Sequence, residues 1–202
     1  MPSIYQLKPA FQNLLRPVTR GLAAAGVTAN QVTLAALGLS CLAGAVIAWQ
    51  PFNRPLLLLI PLTLILRMAL NAIDGMLARE HDMKSRLGAL LNELGDVLSD
   101  SALYLPLAQV PGFDPRLVVS VVVLSVIVEL TGVAAVQIGA ARNYAGPMGK
   151  SDRAFVFGLI TLLLGLNISP GLWVTLLLGA MVLLSAFTIY NRARRSLAEG
   201  AV

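Results

Sequence analysis

Two short stretches place side chains suited to metal and phosphate chemistry inside otherwise apolar sequence. The first holds Asn71, Asp74, Gly75, Ala78 and Arg79; the second holds Gly88, Asn92, Glu93, Asp96 and Asp100. Ionisable groups at membrane depth are costly, so by default they mark a functional site. Asn71, Asp74 and Ala78 follow i, i+3, i+7 spacing and share one helix face. Gly88, Asn92, Asp96 and Asp100 recur every fourth residue on a face of the next helix. The turn between the two centres near Met83, with Asp74 and Asn92 equally far from it, so an antiparallel hairpin brings them to one depth. Carboxylates clustered with amide oxygens suit a hard cation such as Mg²⁺, Mn²⁺ or Ca²⁺. Beside a basic loop, such a cation suits a phosphate or pyrophosphate. Gly75 and Gly88 let a bulky ligand approach the backbone, and Arg79 offers a fork of donors to phosphate oxygens. The competing reading, polar groups that merely satisfy one another, leaves this regular spacing unexplained.

The elements that must position these residues are apolar. Of 202 residues, 57% are hydrophobic and only 12% are charged, where soluble domains carry about 25% charged residues. Apolar runs at Gln31–Trp49, Leu56–Met76, Leu87–Leu107, Leu117–Ile138, Ala154–Leu166 and Leu172–Tyr190 mostly approach the roughly 20 residues of a spanning helix. The expected fold is therefore an all-α integral membrane protein of six transmembrane helices. The fifth run is short and extends back through Lys150 or forward to Ile168. A preceding amphipathic helix is expected from Ile4, Leu7, Phe11, Leu14, Leu15 and Val18, set against Lys8, Gln12, Arg16 and Arg20; it would lie in the membrane interface. Pro9 and Pro17 are its candidate break points. The whole chain, 1–202, reads as one domain, with the interfacial helix over 1–25 and the six-helix bundle over 31–192. No cleavable leader is expected.

Charge sets the topology. The N-terminus (Lys8, Arg16, Arg20), the loop at Arg79, Lys84 and Arg86, the loop at Arg142, Lys150 and Arg153, and the C-terminal Arg192, Arg194 and Arg195 hold twelve of the 15 basic residues. Only Arg54 and Arg116 fall on the other side, and Arg67 lies inside the second helix. The positive-inside rule then places both termini and the motif hairpin in the cytoplasm. The net charge of +5 is explained by this asymmetry, and no nucleic-acid partner is expected. Ala36, Ser40 and Gly44 form a small-residue track for close helix packing. Cys41 is the sole cysteine, so no intramolecular disulfide forms. His81 sits in an exposed turn and is not expected to ligate metal.

The two stretches resemble the signature of the CDP-alcohol phosphotransferases, Asp-x-x-Asp-Gly-x-x-Ala-Arg followed by Gly-x-x-x-Asp-x-x-x-Asp. Asp74, Gly75, Ala78, Arg79, Gly88 and Asp96 match it. The six-helix plan and the interfacial helix also match, and Gly26-Val-Thr28-Ala-Asn30-Gln-Val-Thr33 is similar to the family's Thr-Pro-Asn-x-x-Thr segment, with Ala29 in place of proline. The resemblance implies a cytoplasm-facing site in a homodimer of a bacterial inner membrane, working in phospholipid synthesis. It implies a CDP-linked donor, usually CDP-diacylglycerol, whose diphosphate is bridged by one or two Mg²⁺ or Mn²⁺ ions. An acceptor hydroxyl attacks the lipid-side phosphorus and CMP leaves. Asp74 would ligate metal, Asp96 would be the base, and Gly75, Ala78, Arg79 and Gly88 would hold the CDP group.

Two departures bear on this. Asn71 and Asn92 stand where the family has aspartates, so the four positions carry −2 in place of −4. Amide oxygens ligate metals but bring no charge, which implies weaker binding, a single ion, or tight binding only with nucleotide. Glu93 and Asp100 are candidate replacement ligands. A catalytically impaired nucleotide- or lipid-binding homologue with a regulatory or scaffold role is the alternative. On the acceptor side, Lys150, Arg153 and Arg192 suit an anionic acceptor such as a phosphorylated polyol, and Glu129 is a candidate pocket residue. Against these stand plain structural readings: positive-inside loops for the cations, a helix–helix bond for Glu129, and pairing with Glu129 or snorkelling for Arg67.

Overall fold

The computed structural model describes residues 4–200, with side chains from Pro9 onward; Ile4, Leu7 and Lys8 of the expected amphipathic stripe lie outside the described side chains. Among the described residues there are seven α-helices and no strand. They are α1 (Ile4–Ala24), α2 (Ala29–Trp49), α3 (Leu59–Glu80), α4 (Arg86–Tyr104), α5 (Pro115–Ala134), α6 (Lys150–Gly165) and α7 (Leu172–Glu199). Short 3-10 turns lie at Arg54–Leu58, Leu105–Gln109 and Ala135–Ile138. Four segments are long and apolar enough to cross a membrane: Ala29–Trp49, Arg54–Glu80, Pro115–Ile138 and Leu172–Glu199. The remaining two apolar runs form α4, which carries Glu93, Asp96 and Asp100, and α6, which has only 16 residues. Of the two extensions open to α6, the chain takes the one back to Lys150. Asp152, at its third position, accepts a hydrogen bond from the Gly149 N–H at 2.9 Å and secures that start.

The chain divides into two compact units, Met1–Leu42 with Leu62–Ser99, and Ala43–Pro61 with Asp100–Val202. In the first, α1 runs unbroken through Pro9 and Pro17. Its Leu15 and Leu22 pack on a core of Ala29, Val32, Ile73 and Leu77 from α2 and α3. That burial offsets the hydrogen bonds the two prolines cannot donate. Gly26, at φ +77°, closes α1: its N–H donates to Ala23 O and that of Val27 to Leu22 O, both at 3.0 Å. Thr28 and Gln31 then start α2 with a reciprocal cap, Gln31 N to Thr28 Oγ1 at 3.3 Å and Thr28 N to Gln31 Oε1 at 2.9 Å. Asp82 turns the chain after α3 with φ +55°, and Ser85 Oγ accepts from Gly88 N at 2.9 Å to open α4. Leu87, Leu90, Leu94 and Leu98 leave an apolar stripe exposed along α4, as a lipid-facing helix does.

In the second unit Asp114 caps α5, its Oδ1 accepting from Arg116 N at 2.8 Å and Leu117 N at 3.3 Å. Tyr104 stacks on Phe157 with ring centroids 4.2 Å apart. The small-residue track is a packing device: Ala36 and Ser40 are buried, and a Cβ on Gly44 would run into the Ala102 carbonyl. Gly44→Leu is therefore expected to destabilise the protein by about 1–3 kcal/mol through overpacking, read as a lowered unfolding temperature in detergent.

Candidate functional site

In the first unit α2, α3 and α4 enclose a cleft of about 710 Å³. Seven of the sequence-selected residues line it: Asn71, Asp74, Gly75, Ala78 and Arg79 from α3, and Gly88 and Asn92 from α4. Ala29, Asn30 and Thr33 from α2 complete the wall, with Lys84, Ser85 and Arg86 at the hairpin turn. The hairpin thus brings Asp74 and Asn92 to one cavity.

Each polar group in this wall has a physical position. Asp74 is only 6% exposed, and its Oδ2 accepts a 2.8 Å hydrogen bond from Thr33 Oγ1. Burying a carboxylate is costly unless donors meet it, and Thr33 is such a donor. Asp96, one turn beyond Asn92, accepts from Asn71 Nδ2 at 3.5 Å. Its Oδ1 also lies 3.9 Å from Arg67 Nη2, and the Arg67 side chain is 4% exposed. Arg67 is buried and faces Asp96 on its own unit. Arg67, Asn71, Asp74 and Ala78 therefore occupy one face of α3 at i, i+4, i+7, i+11.

The glycines act by close approach. A Cβ at Gly88 would meet Asn30 Oδ1 at 2.7 Å and Ser85 Oγ at 3.0 Å, so a larger residue there would displace the Asn30 and Ser85 side chains at the cleft wall. A Cβ at Gly75 would sit 3.3 Å from Arg79 Nη2, so its absence lets the guanidinium fold back along α3 toward the cleft.

Glu93, Asp96 and Asp100 are not among the residues lining the cleft; Asp96 lies one turn beyond Asn92 and meets the site through Asn71. Asp100 belongs to the second unit, where its Oδ2 lies 3.5 Å from Arg153 Nη2. Also in that unit, Glu129 Oε1 accepts from Arg153 Nη2 at 3.0 Å and its Oε2 from Arg192 Nη1 at 3.3 Å. Lys150, half-buried, opens α6. Sequence reasoning assigned no role to Thr33 or Asn30, although both stood in the quoted Gly26–Thr33 segment, and it missed the pairing of Arg67 with Asp96. The i, i+4 spacing of Arg67 and Asn71 was the available signal.

The donor set limits metal binding. No group of three or more His, Cys, Asp or Glu side chains suited to a metal ion occurs among the described residues. Asp74 and Asp96 carry −2 and Arg67 returns +1. A preformed two-ion centre does not fit this charge. Asp74 and the Asn71 and Asn92 amide oxygens line the cleft and are the groups that would hold one hard cation, with a ligand's own phosphates completing its shell.

Residues 26–190 match the family model for CDP-alcohol phosphatidyltransferase. The inner membrane protein YnbA of Escherichia coli K12 is 47% identical over 201 residues, 98% of each chain. Among solved structures, Mycobacterium tuberculosis phosphatidylinositol phosphate synthase with manganese and citrate superposes with a TM-score of 0.76 at 20% identity, covering 90% of this chain and 88% of that one. The same synthase with CDP-DAG bound gives 0.72 at 20% identity, covering 91% and 92%. These structures share the fold. With its apolar helices and an inner-membrane relative along almost its whole length, the chain is a multi-pass inner-membrane protein.

The Thr33–Asp74 bond yields a direct test. Thr33→Val keeps the shape and removes the donor, so the buried Asp74 carboxylate loses a partner and stability is expected to fall by about 1.5–3 kcal/mol, the size of one hydrogen bond to a charged group. A lowered unfolding temperature in detergent measures it.

Proposed function

We propose that this chain, which belongs to the CDP-alcohol phosphatidyltransferase family, transfers a phosphatidyl group from CDP-diacylglycerol to an alcohol and releases CMP. The observation that carries the reading is the cleft lined by Asn71, Asp74, Gly75, Ala78, Arg79, Gly88 and Asn92, five of the six matched residues of the family signature and its two substituted positions. The CDP-DAG-bound structure of a fold relative supports the choice of donor.

In this reading the CDP diphosphate lies along the cleft, where Arg79 and the basic turn residues Lys84 and Arg86 meet its oxygens. Gly75 and Gly88 keep the cleft open to it. Asp96, oriented by Asn71 and Arg67, takes the proton of the acceptor hydroxyl. The hydroxyl oxygen bonds to the lipid-side phosphorus, the bond from that phosphorus to the CMP oxygen breaks, and CMP departs with the electron pair. A single Mg²⁺ or Mn²⁺, held by Asp74 with the Asn71 and Asn92 oxygens and brought in with the donor, would neutralise diphosphate charge. Thr33 keeps Asp74 aimed at that position.

The membrane arrangement proposed with it has α2–α7 crossing and α1 in the interface. Both termini and the cleft face the cytoplasm, on the evidence of the basic residues, and the protein is a homodimer. The alternative, an impaired homologue that binds nucleotide or lipid without turnover, draws on the two asparagines and the small carboxylate set.

CMP release from CDP-diacylglycerol, measured with a panel of alcohols and with Mg²⁺ or Mn²⁺, separates the two. Wild type is expected to turn over and Asp96→Asn to lose at least 100-fold, a loss typical of a general base. Equal inactivity of both with every acceptor would favour the impaired homologue. In a metal titration, no tight site is expected without nucleotide and one with CDP; Arg67→Gln, which removes the competing charge, is expected to tighten it.

A further inference from the structure

The wall of the cleft in the first unit is positively charged. Arg79, Lys84 and Arg86 line it, and Asp74 is the one acid that lines it with them, so three cations against one carboxylate leave the wall at +2. The two acids nearest the cations in the chain, Glu80 and Asp82, lie outside the lining. Glu80 is engaged by Arg16 of α1, whose Nη2 and Nε donate to its two carboxylate oxygens at 3.0 and 3.2 Å. Asp74 is met by the Thr33 hydroxyl. Arg79, Lys84 and Arg86 are exposed, and among the described residues none of the three makes a hydrogen bond or an ion pair. Their donors are open to a ligand in the cleft. A guanidinium fork and an ammonium group with open donors give a diphosphate charge-assisted hydrogen bonds directly.

We propose that Arg79, Lys84 and Arg86 make the cleft an anion site in its own right, which takes the diphosphate of a nucleotide without any metal ion, and that the divalent ion arrives and departs with the nucleotide. That the nucleotide is a cytidine diphosphate rests on the transferase reading above. The order follows from charge. A wall at +2 attracts a diphosphate and repels a free divalent cation. Holding an ion first, against that field, takes a cluster of carboxylates, and no such group of three occurs among the described residues. Once a diphosphate is seated, its oxygens join Asp74 and the Asn71 and Asn92 amides as a hard-oxygen shell. After transfer, CMP keeps one phosphate group where the donor had two. It meets fewer of the cations and offers the ion fewer oxygens, so both leave.

The test is calorimetric titration of CDP into the full-length protein in detergent, once with EDTA and once with saturating Mn²⁺. The Kd in EDTA is expected to lie within tenfold of that with Mn²⁺, and a larger loss overturns the metal-free site. Arg79→Gln and Lys84→Gln, both at exposed positions, are each expected to weaken binding in EDTA about tenfold, the size of one charge-assisted hydrogen bond. Unchanged binding in both folded variants overturns the role given to the cations. Mn²⁺ affinity, read by electron paramagnetic resonance, is expected to be at least tenfold lower with CMP than with CDP; equal affinity overturns the departure of the ion with product. Metal-free CDP binding by a protein inactive with every acceptor would count against the transferase reading alone. An active enzyme that binds CDP only with Mn²⁺ would count against the metal-free site alone.

Discussion

Charge buried in an apolar helical protein must be met by donors or counter-charge, and both units of this molecule are organised around that requirement. Asp74 is held by the Thr33 hydroxyl at 2.8 Å, and Asp96 by the Asn71 amide and Arg67. These contacts fix the spacing of α2, α3 and α4. Gly88 leaves room for the Asn30 side chain where α4 begins. The cleft is the space left over once these carboxylates are satisfied without being fully enclosed.

The same requirement accounts for the departure from the family pattern. Four carboxylates at one depth repel one another unless cations neutralise them. Here Asn71 and Asn92 remove two of the charges, and Arg67 supplies a resident cation on the same face of α3. Asn71 acts as a donor to Asp96, a role an ionised aspartate cannot fill. The asparagines are thus part of a coherent arrangement with a lower demand for metal. In the second unit Glu129 performs the matching task for three arginines.

Much of this was legible in the sequence because helical periodicity is a local property. The shared faces of Asn71 with Asp74, and of Gly88 with Asn92, follow from spacing alone, and the hairpin centred near Met83 brings them to one cavity. The start of α6 at Lys150 was one of two readings that the short apolar run allowed. Other features depend on which helix lies beside which, and one chain's spacing does not encode that. Asp100 continues the four-residue series of α4, yet it pairs with Arg153. Arg67, expected by sequence to pair with Glu129 or to snorkel, lies buried beside Asp96. The continuity of α1 through two prolines depends on packing by Leu15 and Leu22, which outweighs local propensity.

Product stoichiometry tests most directly whether this reduced-charge cleft performs complete phosphatidyl transfer. Purified protein would be given CDP-diacylglycerol and a panel of alcohol acceptors, with CMP and new lipid phosphodiester quantified together by mass spectrometry. Equal molar amounts of the two, rising together with time, are expected with at least one acceptor. CMP without a matching lipid product would indicate hydrolysis, and neither product would indicate binding without chemistry; either result with every acceptor contradicts complete transfer.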